Sequence, residues 1–192
     1  MAMSQPFTTV SQALVNLDWA DQVSGIGHII FYPTISTTNY LSRRLSDSSS
    51  VYLSATNGTS QYDLDYEFKT SMFMEGNAVF NFTQRNLASS AGNVRVTVYH
   101  VAPDTTETSL GTAITDTRSG TTTWRENITI SLTSINFSVG DKLRITVAVY
   151  SDGGNTQSCY ADPNSGLTLT DNYGRTVGTD FICDMPFRVE QT

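Results

Sequence analysis

Lys142-Leu143-Arg144-Ile145-Thr146-Val147-Ala148-Val149-Tyr150 alternates apolar and polar residues without a break. In an extended chain successive side chains point to opposite faces. Leu143, Ile145, Val147 and Val149 therefore fall on one side, and Arg144, Thr146 and Ala148 on the other. That is the pattern of a half-buried strand. Outward from it the pattern repeats. In Asn93–Val101, Val94, Val96, Val98 and His100 oppose Arg95, Thr97 and Tyr99; in Gln61–Lys69, Tyr62, Leu64, Tyr66 and Phe68 oppose Asp63, Asp65 and Glu67. Asn127–Leu132 offers Ile128, Ile130 and Leu132. Shorter candidates are Ile26–Tyr32, Val51–Thr56, Asn77–Thr83, Ser109–Thr115, Leu167–Thr170 and Phe187–Gln191. Turn residues separate them: Asn57-Gly58, Ala91-Gly92-Asn93, Pro103-Asp104, Gly140-Asp141 and Ser151-Asp152-Gly153-Gly154. Many short strands with frequent turns and no long helical pattern predict an all-β fold, a single antiparallel β-sandwich of jelly-roll type. Asn57-Gly58 further predicts a two-residue hairpin joining Val51–Thr56 to Thr59–Lys69, with positive φ at both turn positions.

Composition agrees with one ordered core. At 192 residues, 39% hydrophobic and 10% aromatic, the chain has bulky material for a sandwich interior. Ser and Thr make up about a quarter of it, but they alternate with Val, Ile, Phe and Tyr, which argues against disorder. The net charge is −7, and Lys69 and Lys142 are the only lysines, so no nucleic-acid partner is expected. No run approaches the roughly 18 apolar residues of a membrane helix, so no membrane partner is expected either. The start, Met1-Ala2-Met3-Ser4-Gln5-Pro6, lacks a basic region followed by an apolar run, which predicts no signal peptide and folding in a cytoplasm.

Residues 1–24 read as an N-terminal arm leading into a sandwich over 25–192. Within the arm, Ser11 to Val23 fits either a short helix capped by Ser11 or an extended segment. Leu14, Leu17 and Trp19 are its apolar anchors and are expected to pack on another subunit. Arg43-Arg44 is the only basic doublet and could engage an acidic partner through bidentate pairs.

The chemistry-bearing residues form no familiar constellation. His28 and His100 each sit in a strand-like run, outside any HExxH or HxH pattern and with no CxxC to complete a zinc site. No GxSxG elbow, P-loop or dinucleotide-binding glycine fingerprint occurs. Asp63, Asp65 and Glu67 are spaced two apart on one strand face. Carboxylates so spaced lie within the reach of inverting glycosidases, but a solvated face opposite an arginine-bearing strand is the reading the pattern favours. Ser151–Gly166 gathers Asp152, Asn155, Asp162 and Asn164, oxygen donors without EF-hand spacing, and reads as a long turn. Trp19 and Trp124 suit either a sugar-stacking platform or a core and subunit interface. Cys159 and Cys183 fit a disulfide or two buried thiols equally well. No catalytic residue, cofactor or metal ligand is assigned, and the chain is expected not to be an enzyme.

Three stretches carry a resemblance: Gly76-Asn77-Ala78-Val79-Phe80-Asn81-Phe82; Val94–Val101 running into Pro103-Asp104-Thr105-Thr106-Glu107-Thr108; and Phe137-Ser138-Val139-Gly140-Asp141-Lys142-Leu143-Arg144-Ile145. Together with the acidic, Ser/Thr-rich composition, they resemble the jelly-roll capsid decoration, or cement, proteins of tailed bacteriophages. The resemblance implies a virion structural protein that stabilises the coat. Its partners would be the major capsid protein or other virion proteins, and it would form a homo-oligomer, a trimer first. The alternative expectation is a carbohydrate-binding or receptor-binding β-sandwich module.

Overall fold

The computed structural model describes residues 15–16, 26–35, 38–44, 52–86, 91–121, 123–161, 168–171, 173–178 and 180–188. The regular structure among them is all strand: β1 (Val15–Asn16), β2 (Ile26–Thr34), β3 (Tyr40–Ser42), β4 (Tyr52–Ala55), β5 (Gly58–Glu67), β6 (Met72–Asn86), β7 (Ala91–Val101), β8 (Glu107–Ile114), β9 (Arg118–Ser119), β10 (Thr123–Phe137), β11 (Lys142–Ser151), β12 (Gln157–Tyr160), β13 (Thr168–Thr170), β14 (Thr176–Gly178) and β15 (Ile182–Arg188). The expected all-β sandwich is what forms.

Its first layer is organised on β6. One edge of β6 pairs with β10 along nearly its whole length, and the other is shared by β15 and then β12. β4 extends the layer beyond β12, and β2 extends it beyond β15. The second layer runs β3-β5-β11-β7-β8, with β9 beside the start of β7. β2 joins the layers: its first part pairs with β15, and Tyr32–Thr34 pair with β3. Among the described residues every pairing is antiparallel except the contact of β3 with β5 at Tyr40 and Asp65. β13 and β14 form a separate two-stranded hairpin.

The alternation read from β11 decides where the core lies. Leu143, Ile145, Val147 and Val149 are fully buried and meet Val94, Val96, Val98, Phe31, Phe80 and Phe82 between the layers. Each such side chain contributes about 1.5–3 kcal/mol by leaving water. Thr146 and Ala148, on the outer face, are also shielded, because β11 is central and flanked by β5 and β7.

One sequence expectation is corrected here. Asn57-Gly58 does not close a two-residue hairpin. β4 pairs with β12 in one layer and β5 with β11 in the other, so this turn carries the chain between layers. Gly58 has the positive φ (76°), while Asn57 does not. The reason is tertiary: Leu53 and Leu64 both reach the core, and they do so from opposite sheets. In the arm, Leu14, Leu17 and Trp19 lie outside the described residues. The part of the arm that is described, β1, pairs with β2 of the same chain, Val15 opposite Ile29 and Asn16 opposite His28. The choice between helix and extended arm over Ser11 to Val23 otherwise lies outside the described residues.

Candidate functional site

The outer face of the second layer is a plane built by register. Arg144 stands between Asp65 on β5 and Tyr99 on β7; Thr146 between Asp63 and Thr97; Ala148 between Gln61 and Arg95; Tyr150 between Thr59 and Asn93. One half of this plane is closed by charge pairing. Arg144 donates to both carboxylate oxygens of Asp65, at 2.7 and 2.8 Å, and also to Glu107. Hydrogen bonding to Asp65 and the surrounding acids hold the guanidinium well above its ordinary pKa, against burial. Thr146 donates to Asp63 at 2.7 Å, and Lys69 pairs with Glu67, whose carboxyl it holds below its usual value. The acid row is thus the arginine-opposed strand face anticipated from the sequence.

The other half is open. Ala148 has the shortest side chain in its row, and the longer groups around it leave a shallow depression of about 190 Å³ lined by Thr59, Asn93, Arg95, Ile114, Ala148 and Tyr150. Ile114 is 59% exposed and Tyr150 37% exposed, large apolar surface for a sheet otherwise rich in polar groups. Arg95 is exposed, its register neighbours Ala148 and Ile114 carry no charge, and it has no ion-pair partner among the described residues. Sequence reading missed this groove. The outward position of Ala148 is visible in the alternation, but the strands that flank it are not.

The histidines are each tied to an aspartate. His100 Nε2 lies 2.9 Å from Asp141 Oδ2, both are largely buried, and Asp141 also accepts from the Ser138 backbone N–H. The hydrogen bond from His100 is the chief cause that holds the Asp141 carboxyl below the usual value. On the outer face of the first layer, His28 Nδ1 lies 2.8 Å from Asp184 Oδ1, and both are about one-third exposed. A carboxylate on one ring nitrogen fixes the orientation of a histidine, an arrangement also used to hold a general base.

A third group lies inside. The inward row of β6 runs Ala78, Phe80, Phe82 and then Gln84 and Asn86, so the core turns polar at this end. Gln84 donates to Gly92 O at 3.2 Å and accepts from Thr115 at 2.9 Å, while Asn86 donates to Arg118 O at 2.7 Å. Arg118 in turn pairs with buried Glu126 at 3.1 Å and lies over Trp124 at 5.6 Å. Hydrogen bonding to Glu126 raises the Arg118 pKa. Trp124 is therefore half-buried beneath Arg118; Trp19 lies outside the described residues. Gln157 faces Gly92 here, fully buried, with neither amide atom hydrogen-bonded.

Cys159 and Cys183 are free and fully buried, and burial pushes both thiols well above their ordinary pKa. Arg43 is half-buried and its Nε lacks a partner, while Arg44 is exposed and its backbone N–H donates to Ser42. Nothing brings this doublet together with the groove or with either histidine. In the loop after β11, Asp152 accepts from Ala91 N–H at 2.7 Å, and residues 162–167 lie outside the described set. No group of three or more metal-ligating side chains occurs among the described residues.

Neither a protein-family model nor a curated relative matches the sequence. Solved structures do share the fold. A CocE/NonD family hydrolase from Staphylococcus aureus is similar at a TM-score of 0.54 and 9% identity, over 82% of this chain and 36% of that one. An aminopeptidase from a marine sediment Thaumarchaeota archaeon matches at 0.53 and 10% identity, over 83% and 37%. An α-amino acid ester hydrolase matches at 0.53 and 9%, over 82% and 36%. This chain spans little more than a third of the length of each.

These likenesses correct the functional expectations. The capsid decoration protein, its virion setting and its separation from enzymatic chemistry were inferred from an acidic, Ser/Thr-rich, motif-poor sandwich. The same sandwich occurs in hydrolases, so these features report strand faces and turns and do not single out a coat protein. A structure of infectious bursal disease virus reaches a TM-score of only 0.21 and carries no argument.

Proposed function

We propose that this chain is the β-sandwich component of a hydrolytic enzyme, working beside a catalytic unit and presenting the outer face of its second layer as a binding surface. The observation that carries the reading is the fold likeness, which takes in four-fifths of this chain but little more than a third of each hydrolase. The groove beside Arg95 supports the binding role, because it leaves an arginine, a tyrosine and an isoleucine open on a face whose other charges are paired. Arg and Tyr are the residue types that concentrate binding energy at protein surfaces.

The test is an activity measurement on the native assembly purified through this chain, against aminoacyl esters, simple carboxylic esters and aminoacyl anilides. Turnover is expected for at least one class. An assembly that holds this chain and hydrolyses none of them sinks the reading. A His28→Ala variant then separates surface from chemistry. If the chain contributes only surface, kcat is unchanged; if the His28–Asp184 pair moves a proton, kcat falls about 10²–10⁴-fold.

A further inference from the structure

We infer that the groove around Arg95 is a docking site for an extended peptide segment carrying a carboxylate next to an apolar side chain, supplied by a partner protein. The inference rests on the preceding reading for the identity of the partner, and on the geometry of the groove for its chemistry.

The contrast between two arginines on one sheet face makes the case. Arg144 lies opposite Asp65 and within reach of Glu107, so its fork is filled from within the chain. Arg95 occupies an equivalent outward position one strand over, with Ala148 on one side and Ile114 on the other. Its planar donors match a carboxylate in two-point geometry. The short side chain of Ala148 lowers the floor beside it, and a depression of about 190 Å³ accepts a side chain and little more. Tyr150 and Ile114 flank it with exposed apolar surface that suits an aliphatic or aromatic neighbour of the carboxylate. Asn93 and Thr59 supply amide and hydroxyl groups on the rim for backbone contacts. The groove is open and shallow, which suits a chain laid across it better than an engulfed small molecule. The net charge of −7 does not oppose this at physiological salt. Repulsion from distant acids is screened over about 8 Å, whereas a direct guanidinium–carboxylate contact is not.

Nuclear magnetic resonance titration with two blocked peptides tests the site: acetyl-Gly-Asp-Leu-Gly-amide and its Asn-for-Asp counterpart. The aspartate peptide is expected to shift the backbone amides of Arg95, Ala148, Tyr150 and Ile114 and to saturate in the millimolar range. The asparagine peptide should bind about tenfold more weakly or worse, and Arg95→Gln should weaken the aspartate peptide by a similar factor. Ile114→Asp places a carboxylate in register with Arg95, and it should block the site from within while leaving the spectrum folded elsewhere. Equal binding of both peptides, unchanged binding by Arg95→Gln, or equally tight saturation by acetate alone would overturn the inference. Peptide binding at the groove in an assembly with no hydrolase activity would sink the hydrolase reading and leave this one standing.

Discussion

Where β6 begins, the interior is aromatic. Met74 lies opposite Phe187, and the Phe68 ring is 4.7 Å from Phe137 and 5.8 Å from Phe187, centroid to centroid. Where β6 finishes, the same inward row presents Gln84 and Asn86 to Thr115 and Gln157, with Glu126 and Arg118 close by. At the first end, side chains attract through contact area and need no partners in particular positions. At the second, each amide must find a donor or acceptor or lose its hydration without return. Even the ionic groups differ: His100–Asp141 closes the aromatic end against Phe137 at 5.0 Å, while Glu126–Arg118 lies within the polar one. The lesson is that burial alone does not rank these residues. Fully buried Phe137 and fully buried Gln157 are expected to differ in stability contribution by most of the molecule's tolerance for mutation.

The largest test of that contrast is Phe137→Ala. It opens a cavity among Phe68, His100 and the surrounding core, and it is expected to cost about 3–5 kcal/mol in urea or thermal unfolding. A cost under 1 kcal/mol would mean that the aromatic end is not the stabilising one.

Acid titration comes next. The Asp141 carboxyl is held below its unfolded value of about 3.9, so the folded state takes up its proton less readily than the unfolded state. Its contribution is therefore complete above about pH 5 and is lost progressively as pH falls through the lower, folded value. Asp141→Ala should cost about 1.5–3 kcal/mol at neutral pH and progressively less as pH falls below the unfolded value. Melting temperatures of both proteins between pH 2 and 7 should converge on the acid side; parallel curves would show that the His100 pairing does not hold the carboxylate.

The smallest expected effect belongs to the polar end. Gln157→Leu keeps the volume and removes two polar atoms that have no hydrogen-bond partner. Stability should rise by up to about 1 kcal/mol. A loss above about 2 kcal/mol in the same unfolding assay would show that the amide is paired in solution and that the two ends are more alike than they look.

How far the sequence could be read follows from the same contrast. Period-2 alternation located β5, β7 and β11, because each buries one face and exposes or pairs the other, and it located the middle of β10 at Asn127–Leu132. It located only the middle of β6: Asn77–Thr83 is legible, but Gln84 and Asn86 occupy inward positions with polar side chains and end the apparent strand early. The four residues of β12 are all buried, Gln157 to Tyr160, so they show no alternation and left no signal. The Asn57-Gly58 turn was visible as a turn and misread as a hairpin, since a dipeptide reports local backbone preference and not which sheet each flank joins. The acid row was legible for what it is, because Arg144 on the neighbouring strand provides the expected counter-charge. The groove was not. It depends on Ala148, Arg95 and Ile114 coming into register, and register is a property of three strands at once.

The partnership of β2 with β15 has a consequence during synthesis. Phe31 faces Cys183 across this pair, so the two partners are separated by about 150 residues of chain. At roughly 5–20 residues per second, a ribosome needs roughly 8–30 s to deliver the second strand after the first. Through that interval the edge of β2 that β15 will occupy offers its peptide groups to any passing strand. The sandwich therefore closes late, and the nascent chain must survive with an open seam until Ile182–Arg188 are made.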